Sequence, residues 1–272
     1  TISGCRVKQS KQTHRAIPTT LRAFSAADKE FFAREGYLIV EDVFDASLVD
    51  TIRNEITRIV VRGSDEEGLV QIEPSVASGE LVPANKELGV RKLFRMAKYN
   101  EFFKELAFHP GMLSLVVELF GSDLKLVQSM LLMKPPYVSE PKVWHQDNAY
   151  FRLKPNDVVG WWIALDPTDI ANGCMHVIPG SHRRGIDSHE GAGDLYGLSK
   201  QPSFEEALAI PLQAGDGLLF HGELHHGTPA NATKTRRRAL QYHYASGACR
   251  SRLELEREIE VVIRRHDSTD SI

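Results

Sequence analysis

The run HQDNAYFRLKPNDVVGWWIALDPTDIANGCMHVIPGSH, from His145 to His182, carries the chain's most specific pattern. It opens on a histidine and an aspartate two residues apart, and side chains so spaced on an extended strand leave the same face. Together they can grip one metal ion. Trp161 to Leu165 and Met175 to Ile178 follow as short apolar runs bounded by Asp, Pro, Asn and Gly, the texture of β-strands. Well downstream stands His225-His226-Gly227-Thr228, and beyond it Arg237 heads another strand-like run.

The chain has eleven histidines, and most histidines in proteins are surface or packing residues. The constellation carries the weight here: a His and an Asp at strand spacing, a distal His, and an arginine after it. Two imidazoles and one carboxylate on one face of a metal leave three coordination positions open, the arrangement of non-haem iron(II) oxygenases. His225 and His226 cannot both face that metal from an extended strand. The same alternation separates Arg237 from Arg236 and Arg238, which otherwise read as a solvated strand edge.

These runs, with the turn Gly215-Asp216 and the run FHGELHHGTPANATKTRRRA from Phe220 to Ala239, resemble the phytanoyl-CoA dioxygenase family, a branch of the iron(II)/2-oxoglutarate-dependent oxygenases. FFAREGYLIVEDVF near the N-terminus and LLMKPP at Leu131 to Pro136 fit the same pattern, so the similarity spans roughly residues 24 to 248. The resemblance implies a mainly β protein with N-terminal helices, a cupin-like double-stranded β-helix or jelly roll. It selects His226 over His225 as a metal ligand beside His145 and Asp147, leaving His225 and His221 as core residues or partners of a ligand carboxylate. Arg237 falls where the family holds 2-oxoglutarate, and its planar guanidinium suits a carboxylate. Thr228 would add a hydroxyl donor. Trp162 matches an aromatic facing the co-substrate, and is equally well explained as core. Tyr150 and Phe151 are placed on the substrate side. Asp147 fills the position that halogenating relatives leave to a halide, so the resemblance implies hydroxylation of an unactivated C–H bond of a small molecule, with succinate and CO2 released. Fe(II), 2-oxoglutarate and O2 are the implied cofactor and co-substrates, with ascorbate supportive in vitro. Two alternatives stay open: a non-redox metal-dependent hydrolase or isomerase on the same barrel, and a metal-binding protein without turnover. The substrate is expected to be anionic or acyl-type, with Lys92, Arg95, Lys98, Arg183 and Arg184 as cationic candidates to hold it.

Composition agrees with one such unit. The 272 residues match the roughly 200–250 that single β barrels reach. A net charge of −3 and a pI near 6.4 argue against a nucleic-acid or anionic-membrane binder. Cys5, Cys174 and Cys249 are few, odd in number and widely spaced, which disfavours a disulfide framework and favours a reducing cytoplasm. No apolar run reaches the roughly 18 residues that span a bilayer, and no signal core is evident, so a soluble protein is expected.

The expected organisation is a polar lead-in over residues 1–22, one oxygenase domain over 23–249 and a charged tail over 250–272. Ser25 should cap a helix ended by Gly36, before a strand at Tyr37 to Val40. Asp45 to Val61 carries Leu48, Val49, Ile52, Ile56, Ile59 and Val60 at helical spacing. Residues 63 to 90 read as a long loop, of the kind that often forms a lid. Asn100 and Pro110 begin further helices, and strands follow from Leu124 onward, among them Leu208 to Leu212, Gly217 to Phe220 and Arg238 to Tyr244. Cys174 reads as a small buried residue, with no base nearby to make it a nucleophile.

Overall fold

A computed structural model of the protein describes residues 16–17, 23–63, 69–137, 139–251 and 261–263. Most of the lead-in and of the charged tail, together with Cys5, lies outside the described residues.

After a short strand β1 (Ala16–Ile17), the helix α1 (Ala26–Glu35) forms where Ser25 predicts it. Ser25 Oγ accepts from the Asp28 amide, the Asp28 carboxylate accepts from the Ser25 amide, and Gly36 ends the helix in the left-handed region at φ 81°. Strand β2 (Tyr37–Val40) leads to α2 (Ala46–Arg62), capped by Asp45. Its apolar stripe buries Val49, Ile52, Ile56 and Val60, each contributing about 1.5–3 kcal/mol if fully withdrawn from water.

The segment after α2 departs from the expected loop. It carries β3 (Val70–Ile72), a helical turn α3 (Pro74–Ala77) and β4 (Val90–Phe94). β4 escapes a hydropathy reading because Arg91 and Lys92 interrupt it, yet it pairs antiparallel with β5 (Leu124–Lys134), Lys92 facing Leu132. Between them lie α4 (Met96–Tyr99), α5 (Glu101–Leu106), capped by Asn100, and α6 (Pro110–Phe120), with proline at its first turn.

The remaining chain alternates strands with tight turns. β6 (Lys142–His145) and a helical turn α7 (Asp147–Phe151) precede β7 (Leu153–Lys154), β8 (Val158–Ala164) and β9 (Met175–Val177). A small hairpin of β10 (His189–Glu190) and β11 (Gly197–Leu198) is followed by β12 (Leu208–Ile210), β13 (Gly217–His221), β14 (His226–Thr228) and β15 (Arg237–Ser246). β16 (Arg250–Ser251) pairs with β7, and β17 (Val261–Ile263) with β5.

Among the described residues these strands form a nine-stranded sheet, ordered β1-β2-β13-β8-β15-β5-β4-β3 with β17 beside β5, and a four-stranded sheet, β12-β9-β14-β6. The jelly roll predicted from the sequence is the observed architecture. Alternation along the central strands sends one set of side chains to each face of the large sheet. Trp161, Ile163, Leu240, Tyr242 and Tyr244 meet the helices, whereas Trp162, Ala164 and Ala239 pack between the sheets with Met175, Val177 and Phe220. The helix-side face is sealed by hydrogen bonds from Tyr242 Oη to Phe103 O (2.6 Å), Tyr244 Oη to Ala107 O (2.7 Å) and Trp161 Nε1 to Met112 O (3.1 Å). Gly160 is needed because a Cβ there would sit 2.5 Å from the Phe220 ring, which fills the space between the sheets.

Candidate active site

The metal-binding geometry is built at the join of β6 and α7. His145 ends the strand, but Asp147 is the first residue of a helical turn and not a strand residue as its spacing suggests. The two side chains still converge because Gln146 between them stays extended (φ −122°, ψ 128°). Its buried amide pins it there, Nε2 donating to Gly185 O (2.8 Å) and Glu223 O (2.7 Å), and Oε1 accepting from the Asp187 amide (2.8 Å). The third ligand candidate arrives by pairing: His226 on β14 stands directly opposite His145 on β6.

His145, Asp147 and His226 are all buried, and their donor atoms lie within 4.8 Å of one another. Nε2 of His145 is 3.4 Å from one Asp147 oxygen, and Nε2 of His226 is 3.5 Å from the other. Nδ1 of His145 contacts the Val143 carbonyl at 2.8 Å and Nδ1 of His226 the Leu224 carbonyl at 2.9 Å. A carbonyl can only accept, so each Nδ1 carries a proton, and each Nε2 is left as the atom that could bind a metal. Burial, helped by the neighbouring His226, pushes the His145 imidazolium down to about 3, which keeps that ring neutral. Burial alone would raise the Asp147 carboxyl. The imidazoles of His243 and His226 overcome it and hold Asp147 well below the usual carboxylate range. This donor set fits a divalent metal held facially.

The residues expected for the co-substrate, Arg237, Thr228 and Trp162, and those expected for the substrate, Tyr150 and Phe151, line one cavity of about 400 Å3 with the triad. Arg237 is 1% exposed. Its guanidinium donates to the Gly173 carbonyl (3.0 Å) and lies over the Trp162 ring (5.3 Å), but Nε has no partner and it makes no ion pair among the described residues. Burial pushes it down only to about 10, so it remains cationic. A buried cation facing a cavity without a counter-ion is costly unless an anion arrives. Lys134 accompanies it, buried, with Nζ donating to the Glu140 carbonyl (2.7 Å). Trp162 Nε1 is also buried without a partner.

Other expectations separate cleanly. Arg236 and Arg238 take the opposite face from Arg237: Arg236 pairs with Glu87 (2.6 Å), and Arg238 forms a two-pronged pair with Asp166 (2.8 and 2.9 Å). His225 turns away from the triad to Asp187 (Nε2 to Oδ2, 3.0 Å), and His221 accepts from the Glu223 amide. Neither touches Asp147. That role belongs to His243, which the sequence reading passed over; fully buried on β15, its Nε2 lies 2.7 Å from Asp147 Oδ2. Gln241 is beside it, amide nitrogen 3.5 Å from the same oxygen. Their signal is the alternation Arg237, Ala239, Gln241, His243 along one face of β15. Of the cationic candidates for a substrate, Lys92 lines the cavity and Arg95, Lys98, Arg183 and Arg184 do not. Gln71 and Glu73, from the segment expected to be a lid loop, also line it.

Cys174 and Cys249 are buried free thiols, and burial raises the Cys174 thiol to about 11, well above the range of a nucleophile. Among the described residues no helix is long and apolar enough to cross a membrane.

The chain is similar to known proteins along most of its length. The family model described as phytanoyl-CoA dioxygenase matches residues 32–239. A peroxisomal phytanoyl-CoA dioxygenase of Bos taurus is 26% identical over 260 residues, covering 89% of this chain and 76% of the relative. A probable phytanoyl-CoA dioxygenase of Caenorhabditis elegans is 28% identical, covering 82% and 75%. Among solved structures, the non-haem α-ketoglutarate-dependent carbocyclase SnoK from nogalamycin biosynthesis superposes with a TM-score of 0.67 at 24% identity, over 86% of this chain and 89% of that one. EctD from S. alaskensis with 2-oxoglutarate and 5-hydroxyectoine superposes at 0.65 and 21%, over 82% and 76%.

Proposed function

The chain belongs to the phytanoyl-CoA dioxygenase family, and from that premise we propose that it is an iron(II)- and 2-oxoglutarate-dependent dioxygenase whose site is the His145, Asp147, His226 triad with Arg237. His145 and His226 would hold the metal through Nε2, and Asp147 through its carboxylate. Bound there, iron(II) with 2-oxoglutarate and O2 supplies the oxidising power to hydroxylate an unactivated C–H bond while 2-oxoglutarate becomes succinate and CO2. His243 fixes the Asp147 carboxylate from behind, the role that partners of metal ligands commonly play. Arg237 receives the distal carboxylate of 2-oxoglutarate, Thr228 adds a hydroxyl donor, and Trp162 supplies the wall beneath the guanidinium. Tyr150 and Phe151 line the same cavity and would shape the part that receives substrate.

The observation that carries the reading is Arg237: a buried cation without a counter-ion among the described residues, lining the same cavity as the three proposed metal-ligating side chains. A hydrolase or isomerase on this barrel would leave that cation without a function. Residues 23–249 are taken as the catalytic unit. Two buried free cysteines fit a reducing compartment, the cytoplasm on this reading, although mammalian relatives are described as peroxisomal. The substrate is a small molecule. Conversion of 2-oxoglutarate to succinate by the protein with Fe(II) and ascorbate, before any substrate is known, tests the reading; a protein that binds iron yet neither binds nor turns over 2-oxoglutarate would contradict it.

A further inference from the structure

Lys142 stands three residues before His145 on β6, and simple alternation would put the two on opposite faces. The pairing with β14 slips between them. His226 faces His145 and Thr228 faces Lys142, so three steps along β6 are matched by two along β14. The extra residue is a bulge in β6, and bulges near active sites commonly re-aim a side chain. Here it returns Lys142 to the cavity that holds the triad.

An ammonium group withdrawn from water normally has an anion beside it. Arg91 has two, Glu73 at 3.5 Å and Asp194 at 3.1 Å, and Lys92 shares Asp194 at 3.0 Å. Lys142 is different. Its Nζ donates to the Tyr150 hydroxyl (2.9 Å) and to the Asp194 backbone carbonyl (2.9 Å), and makes no ion pair among the described residues. An ammonium has three N–H donors, so one is left for an acceptor in the cavity. Burial lowers Lys142 to about 8, which leaves it predominantly charged at neutral pH. Asp194 lies on the turn Gly193–Leu195, carried by the β10–β11 hairpin, and this turn lines the cavity next to Lys142. Phe94, Met130 and Phe151 make the same cavity partly apolar.

We propose that Lys142 anchors a carboxylate of the primary substrate, so that the enzyme takes amphipathic carboxylic acids in preference to their neutral esters, thioesters or amides. Tyr150 and the Asp194 backbone carbonyl position the Lys142 ammonium. The apolar walls take the hydrocarbon body and present it to the triad. Arg237 keeps the co-substrate, and Lys142 the substrate. This inference rests on the dioxygenase reading for the chemistry, but its recognition step can be measured separately.

The test is calorimetric titration of hexanoate, octanoate and decanoate, and of their primary amides, into the anaerobic Fe(II) and 2-oxoglutarate-loaded protein. In the unsubstituted protein at least one acid should bind about tenfold or more tightly than its amide, the size expected for a hydrogen bond to a charged group. Lys142→Met should erase that preference while leaving 2-oxoglutarate affinity within about twofold, and Lys142→Arg should retain it. Three results would overturn the proposal: acids binding no better than amides, or not at all; a Lys142→Met protein that keeps the preference; or loss of 2-oxoglutarate affinity in Lys142→Met, which would assign the lysine to the co-substrate. Failure of the unsubstituted protein to bind 2-oxoglutarate would instead sink the dioxygenase reading, and this inference with it.

Discussion

The two faces of β15 carry adjacent buried arginines with opposite circumstances. On the helix side Arg238 meets Asp166 through two hydrogen bonds and Glu87 through a third, and Tyr242 and Tyr244 donate to helix carbonyls. On the cavity side Arg237 Nε and His243 Nδ1 are buried without partners among the described residues, as is Trp162 Nε1 on the neighbouring β8. One face is satisfied by the protein itself. The other holds polar groups that the protein alone does not satisfy, and buried polar groups left open in a native structure call for an explanation such as a ligand. The difference separates structure from function along a single strand, residue by residue.

The strongest way to break the comparison is at the metal. His226→Ala should abolish iron-dependent succinate formation and leave the fold intact, because it removes one of the three proposed ligands. His225→Ala, whose imidazole faces Asp187, should retain iron and most activity. Iron titration with a succinate assay checks both, and iron loss in the His225 variant with retention in the His226 variant would put the ligand one residue away.

The two arginines should then differ in stability. Breaking a buried pair by removing one partner costs roughly 3–5 kcal/mol, so Arg238→Ala should lower the denaturation midpoint sharply and leave 2-oxoglutarate affinity little changed in whatever protein stays folded. Arg237→Ala removes an unpaired buried cation and should cost far less in the absence of co-substrate. Urea unfolding of both variants decides it; equal losses would mean that the cavity side is as well satisfied as the helix side.

A smaller effect is expected at His243, which reaches the metal only through Asp147. Loss of such a partner typically costs about 10–100-fold in metal affinity or activity. His243→Leu should therefore weaken Fe(II) binding by that range, measured by competition with a chelator. An unchanged affinity would reduce His243 to packing.

Much of this was legible in the sequence. Ser25 and Gly36 marked the first helix through capping chemistry, apolar spacing marked the second, and the run after Leu124 showed its strands through turn residues and alternation. His145 and Asp147 stood out by their spacing, and the family resemblance picked His226 over His225 and set Arg237 apart from its neighbours. What stayed hidden depends on pairing between distant strands. His243 is one histidine among eleven until β15 lies beside β8 and its inner face meets Asp147. Lys142 was not among the cationic candidates, because the register shift that brings it to the cavity is invisible in alternation. β4 passed unread because its charged residues serve the cavity and not the solvent. Asp147 was read as a strand residue, and its true position opens a helical turn.

The central claim is that Arg237 is reserved for the co-substrate beside the triad, and titration of 2-oxoglutarate into the anaerobic Fe(II) protein and its Arg237→Ala variant tests it most directly. Losing one partner of a buried charge pair at roughly 3–5 kcal/mol, with about 1.4 kcal/mol per tenfold, predicts an affinity two to three orders of magnitude weaker, with iron binding retained. An unchanged 2-oxoglutarate affinity in that variant would contradict the account.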